Sequence, residues 1–289
     1  MIGDAREILS GAIDLHVHSA PDTRPRKGDD FEIARRASDA GMKAVVLKSH
    51  LDSTASRAEL TQKLFPGVSV FGGIVLNYSC GGLNPLAVEV AVKLGAKIVW
   101  MPTVSAANNI SHVGVERSRS ALALGNGWPG ISIVDDKGRL VPEVSAILEI
   151  IARSGVILAT GHLSRPEVKL LVSEARKAGV DKILVNHPEL DVTRLSLEDQ
   201  KELAAMGAYF ERCFVVTTMP SPVLISEIVS AIREVGPQYT VMSTDFGQTG
   251  NAWPSEGLLQ YIESLLSHGM NRREIELMVK SNPAALLGI

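Results

Sequence analysis

The stretch Ile13–Asp22, IDLHVHSAPD, carries two histidines one residue apart at the end of a short apolar run. Residues i and i+2 of a β-strand share a face, so His16 and His18 can converge on one metal ion. An H-x-H pair alone is weak, because the chain has seven histidines and each could be an ordinary core or surface residue. Its weight comes from the company it keeps. AVVLKSH ends with Lys48 and His50, again two apart; TGHLS holds His162, VNHPE holds His187 and STDFGQ holds Asp245. AYFERCF adds Glu211 and Arg212, leaving only His112 and His268 away from predicted strand ends. Imidazoles with one carboxylate form a ligand set for zinc or a similar divalent ion.

The elements that must position these groups follow one rhythm. A helix-period segment ends in glycine and an apolar strand follows: FEIARRASDAG41 before MKAVVLKSH, LAVEVAVKLG95 before AKIVWMPT, VSAILEIIARSG155 before VILATGHL. The pattern repeats at Gly179, Gly207 and Gly236. Each glycine sits where a helix end wants a left-handed residue, and each strand reads as buried on both faces, as in a parallel sheet. IDLHVHS and VSVFGGIVLN (68–77) complete eight βα units, which predicts a (β/α)8 TIM barrel with its active site at the C-terminal strand ends. A doubly wound sheet would carry a Gly-rich phosphate turn after its first strand, and HSAPDTRPRKGDD is not one. Ser164–Glu167 and Ser196–Asp199 read as helix-start capping boxes. We read residues 1–289 as one domain. An insertion at 104–141, with a hairpin turning at Asp136–Gly138, is a candidate lid or oligomer contact.

Composition narrows the partners. Hydrophobic residues make up 45% and charged residues 21%, an ordinary globular balance, and the formal net charge of −3 gives no reason to expect nucleic acid or an anionic membrane. No apolar run reaches membrane-spanning length, and Met1–His16 lacks the pattern of a secretory leader. Cys80 and Cys213 are not in metal-type spacing. The expectation is a reduced, cytoplasmic protein acting on a small molecule, either alone or as a homo-oligomer. Arg24 and Arg26 follow strand one, Arg165 follows strand five and Arg212 lies on strand seven. Guanidinium forks suit carboxylates, so Arg24, Arg165 and Arg212, with His50 and Asn77, are candidate contacts for an anionic substrate.

H-x-H on strand one, single histidines ending strands five and six, and an aspartate ending strand eight together resemble the amidohydrolase superfamily. The C-terminal GMNRREIELMVKSNPAALLGI is similar to the last helix of many members. The resemblance implies a metal-dependent hydrolase of amide, lactone or ester bonds, with His16, His18, Lys48, His162, His187 and Asp245 as metal ligands. The ions would be one or two of zinc, manganese, cobalt or iron. It implies catalytic work for Asp245 as proton carrier, for His187 as polariser and for Lys48. Strand four, KIVWMPTVS, has no terminal lysine or glutamate to bridge two metals, so a carboxylated Lys48 is the candidate substitute. DLHVHS and LKSHLD also resemble a family of phosphoesterases, which leaves a phosphoester hydrolase or a metal-dependent decarboxylase as the alternative enzyme. A barrel that only binds a metal or ligand is the non-catalytic alternative.

Overall fold

The computed structural model describes residues 2–114 and 129–289. Among these residues, nine short strands run parallel to their neighbours: β1 Ile13–His18, β2 Ala44–Lys48, β3 Ser69–Phe71, β4 Gly73–Val75, β5 Ile98–Trp100, β6 Ile157–Ala159, β7 Ile183–Asn186, β8 Tyr209–Cys213 and β9 Thr240–Ser243. β1–β3 form one ladder and β4–β9 another. β3 and β4 share one barrel position, expected as a single strand over 68–77 and found divided at Gly72. The break has a local cause. Thr54, arriving from β2, exchanges backbone and side-chain bonds with Gly73, and a Cβ at Gly72 would collide with the Thr54 carbonyl.

The remaining join, from β9 back to β1, is made beyond the ladder. Val17 and Phe246 form a parallel bridge; the Asp245 amide donates to the His16 carbonyl at 2.9 Å and the His18 amide to the Phe246 carbonyl at 2.8 Å. Eight strand positions with outer helices therefore make the predicted TIM barrel.

Helix ends follow the glycine rhythm: Gly41, Gly95, Gly155, Gly179, Gly207 and Gly236 all have positive φ, between 62° and 106°, which a residue without Cβ adopts freely. The Ser196 amide donates to Asp199 Oδ2 at 3.1 Å and the Asp199 amide to Ser196 Oγ at 3.2 Å, closing the capping box at the start of helix Leu197–Ala205. Inside the strands lies a small apolar core including Ile13, Leu15, Val46, Trp100, Ile157 and Leu184. Leu286 and Leu287 of the last helix, Asn282–Leu287, close it from below. Two larger apolar layers fill the space between strands and helices. In the insertion, Val134 and Leu140 bridge antiparallel around the expected turn, and helix Ala107–Val113 precedes it. Part of that insertion lies outside the described residues.

Plain alternation cannot send Ile13 and Leu15 into the core and His16 and His18 to the mouth of the same barrel. The register of β1 on β2 shifts between Asp14 and Val17, a bulge of the kind that re-aims side chains. Asp14, wholly buried, satisfies it: Oδ1 accepts the amides of His16 and Thr244, both at 3.1 Å, and Oδ2 accepts the Thr244 hydroxyl at 2.5 Å.

The β9–β1 join tolerates no side chain at Gly247, whose φ is +133° and whose Cβ would strike the His18 carbonyl. Gly247→Ala should lower unfolding free energy by about 2–4 kcal/mol. Gly250→Ala, with nothing within 4 Å of its Cβ position, should change it by under about 0.5 kcal/mol. Urea titration of both variants checks this.

Candidate active site

The bulge carries His16 and His18 into the mouth, and the β9–β1 join delivers Asp245 to them. Asp245 Oδ1 lies 3.1 Å from His16 Nε2 and 3.0 Å from His18 Nε2; Oδ2 lies 3.8 Å from His187 Nε2. His187, following β7, and Asp245, following β9, both have left-handed backbones, φ 50° and 54°. Lys48, at the end of β2, places Nζ 2.9 Å from His16 Nε2 and 5.3 Å from the Trp100 ring centre, so the indole forms part of the floor.

Behind His16 stands a carboxylate assigned no role in the sequence analysis. Glu211 Oε2 lies 3.0 Å from His16 Nδ1 and accepts from Asn186 Nδ2 at 2.6 Å, while Oε1 accepts from the Ser243 hydroxyl at 2.9 Å. With Glu211 ionised, His16 donates through Nδ1, and Nε2 is the nitrogen turned to Asp245 and Lys48. A carboxylate behind a histidine in this way is the usual support for a metal-binding imidazole. Cys213 lies two residues further along β8, its Sγ 3.8 Å from His16 Nδ1. Alternation in YFERC already places Glu211 and Cys213 on one face, and that is the signal that could have found them.

The electrostatics of the cluster are dominated by burial and by its carboxylates. Burial opposes charge on His16, yet Asp245 and Glu211 outweigh it and raise the imidazole to about 9. Burial would raise Asp245, but His16 and His18 hold its carboxyl well below the usual range. Glu211 is likewise held at about 2, despite burial, by His16. Burial lowers His18 to about 3 and His187 to about 4, and it depresses the Lys48 ammonium. His16 thus sits where anionic oxygens call for a cation, either a proton or a metal ion.

The donors suit a metal. Ligand atoms of His16, His187, Cys213 and Asp245 all lie within 4.8 Å of one another. Nitrogen, carboxylate oxygen and sulfur in one buried group match zinc and its neighbours. Among the described residues, the Nδ1 atoms of His18 and His187 are buried without a protein partner.

His162 stands further out, its ring 5.7 Å from that of His187, with Nδ1 held 2.9 Å from Asn109 Oδ1 of the insertion helix. His50 lies beside His18, ring centres 4.8 Å apart, and its Nδ1 is 2.9 Å from Thr103 Oγ1. Arg24 lines a cavity of about 790 Å³ that meets the cluster at His162.

Three expected substrate contacts are engaged elsewhere. Asn77 spends its amide on the His50 carbonyl and Thr103 Oγ1, and its carbonyl on the amides of Thr103 and Ser105, which exhausts its donors and uses both acceptor positions. Arg165 turns to Asp199, Nε to Oδ2 at 2.7 Å. Arg212, between the inward Glu211 and Cys213, points outward and is fully buried, bonded to Glu189 and, at 2.8 Å, to Gln200 Oε1.

These pairings set two expected outcomes. Arg212→Leu should destabilise the fold by about 3–5 kcal/mol by leaving Glu189 unpaired; Arg165→Ala, whose side chain is 55% exposed, should cost under about 1 kcal/mol. Burial opposes ionisation of Asp199, but the Ser196 and Arg165 hydrogen bonds hold its carboxyl below the ordinary range. Its contribution is therefore present above an unfolded pKa of about 4 and is lost as pH falls through the depressed folded value. Asp199→Asn should flatten that acid limb in urea titrations repeated across pH.

The model of a family of unknown function, DUF6282, matches residues 11–211. No curated protein shows significant sequence similarity to the chain. Among solved structures, an amidohydrolase from Pseudomonas aeruginosa superposes with a TM-score of 0.62 at 16% identity, covering 98% of each chain. A probable dipeptidase from the same organism gives 0.66 at 11% identity, covering 99% of this chain and 97% of the other. A probable 2-pyrone-4,6-dicarboxylic acid hydrolase from Acinetobacter baumannii, solved with citric acid bound, gives 0.60 at 11%, covering 96% of this chain and all of the other. The property shared with these structures is the fold.

Proposed function

The chain belongs to the family of unknown function DUF6282 and folds as an amidohydrolase-type barrel, and on that premise we propose that it is a metal-dependent hydrolase. Its substrate is a small carboxylate-bearing molecule cut at a lactone, ester or amide bond. The observation that carries this reading is the convergence of His16, His18 and His187 on the one carboxylate of Asp245, between 3.0 and 3.8 Å. The structural neighbour named a probable 2-pyrone-4,6-dicarboxylic acid hydrolase, a name that describes a lactone bearing carboxylates, supports this choice of substrate.

His16, His18, His187 and Asp245 would hold the metal, with His162 or Cys213 completing the set; zinc fits best, and manganese, cobalt or iron are the alternatives. When bound, such an ion supplies Lewis acidity, lowering the pKa of water from about 16 to about 7 and polarising a carbonyl. The protein does the rest. Glu211 keeps the His16 proton on Nδ1, so Nε2 stays a donor of electrons. Asp245, 16% exposed at the mouth, takes the proton of the attacking water on a carboxylate oxygen and passes it to the leaving group. Where a single ion leaves His162 or His187 unligated, that imidazole orients the scissile carbonyl, and His50 contacts the substrate from the Lys48 side. Arg24 receives the substrate carboxylate.

Lys48 has two available roles. Burial favours its free amine, which can take up CO2 as a carbamate and ligate a second ion. Otherwise, as ammonium, it binds the substrate anion. Intact-protein mass measured without acid separates the two by the added CO2.

Purified protein should contain close to one or two equivalents of a divalent metal by plasma mass spectrometry, and chelation should abolish turnover across a panel of lactones, esters, amides and phosphoesters. His16→Asn should empty the site. Glu211→Gln should weaken metal affinity by about 10–100-fold. Asp245→Asn should lower kcat by about 10²–10⁴-fold. A protein that neither carries nor gains a divalent ion overturns the proposal.

A further inference from the structure

Next to the cluster, the cavity of about 790 Å³ holds more than a reacting bond and one carboxylate would fill, and it falls within the range of small-molecule sites. Much of the charge around it is already neutralised. Arg194 lies 2.9 Å from Asp191, and Glu189 is engaged by Arg212. Among the described residues, one wall is mostly apolar: Val216, Met219, Pro220, Pro222 and Val223, which follow β8, joined by Val113 of the insertion helix, with Ser221 and Glu227 its polar members.

That wall is built in advance. The Val215 amide donates to the Thr244 carbonyl, the Thr218 amide to Val215, and the Val223 amide to Val216, each at 3.0 Å, so the segment is tied to itself and to the strand end before Asp245. Two prolines restrict it further. A group that docks there gains by leaving water and need not order the surface it meets. Met, Val and Pro side chains offer a ligand no strong hydrogen bond, so on this side a polar substrate could bond only to Ser221 or Glu227.

We propose that the 216–223 wall is a subsite for an apolar arm of the substrate, an alkyl or aryl group several carbons long. The arm projects from the bond positioned at His162 and Asp245. The inference rests on the hydrolase reading only for which end of the ligand reacts; occupancy of the wall does not depend on turnover.

The test uses straight-chain monocarboxylates, acetate through octanoate, titrated calorimetrically into zinc-supplemented protein. Beyond butanoate each added methylene should tighten binding by about fourfold until the wall is covered. Met219→Glu and Val223→Ser should each flatten that dependence and collapse the octanoate-to-acetate affinity ratio, with folding checked by the thermal midpoint. A flat dependence in the unmodified protein, or a steep one that survives in both variants, overturns the subsite. Chain-length-dependent binding without turnover of any lactone, ester, amide or phosphoester removes the hydrolase reading and leaves the subsite standing. Turnover of short substrates with flat carboxylate binding removes the subsite alone.

Discussion

A single buried carboxylate, Asp14, sets the terms for the rest of the molecule. A strand bulge leaves a backbone amide without its ladder partner, and a buried unpaired amide is costly. Asp14 takes the freed His16 amide together with the amide and hydroxyl of Thr244, although burial pushes its carboxyl up to about 7. The same three bonds do two jobs. They stabilise the bulge that turns both histidines to the mouth, and they fasten the last strand position to the first. Asp245 follows Thr244 in the chain, so closing the ring and completing the cluster are one event.

Strand β8 shows how one segment serves both sides of a barrel wall. Glu211 and Cys213 face the cluster, while Arg212 between them is sunk among the outer helices against Gln200 and Glu189. Each face is electrically compensated on its own side: Glu211 by His16, Asn186 and Ser243, Arg212 by Glu189. The wall thus separates two buried charge systems, one built around the cluster and the other part of the packing that holds β8 in place.

Much of this was legible in the sequence because the signals are local. Glycine-terminated helices, apolar strands and histidines at strand ends depend on spacing of a few residues, and Gly41, Gly155 and Gly207 took the positive φ expected of them. What stayed hidden depends on partners far along the chain. Nothing in IDLHVH announces a bulge, since the residue that stabilises it bonds to Thr244. The division of β3 from β4 comes from Thr54, and the fate of Arg165 from Asp199. Asn77 looked like a free polar group after a strand, yet neighbours from two other strand ends use it up. Glu211 was visible but had no role until His16 stood in front of it.

The backbones of His187 and Asp245 lie in the left-handed region, φ 50° and 54°, which glycine adopts freely and which asparagine, aspartate and histidine enter more readily than other residues, though at some cost. Selection for robustness alone would therefore drift toward glycine or asparagine at both positions and would relax the loops that hold them. An engineer who hardens this scaffold by backbone-relaxing substitutions would erase an imidazole and a carboxylate together. The scaffold and its chemistry pull in opposite directions at those two residues, and a thermostable descendant would have to gain its robustness elsewhere in the barrel.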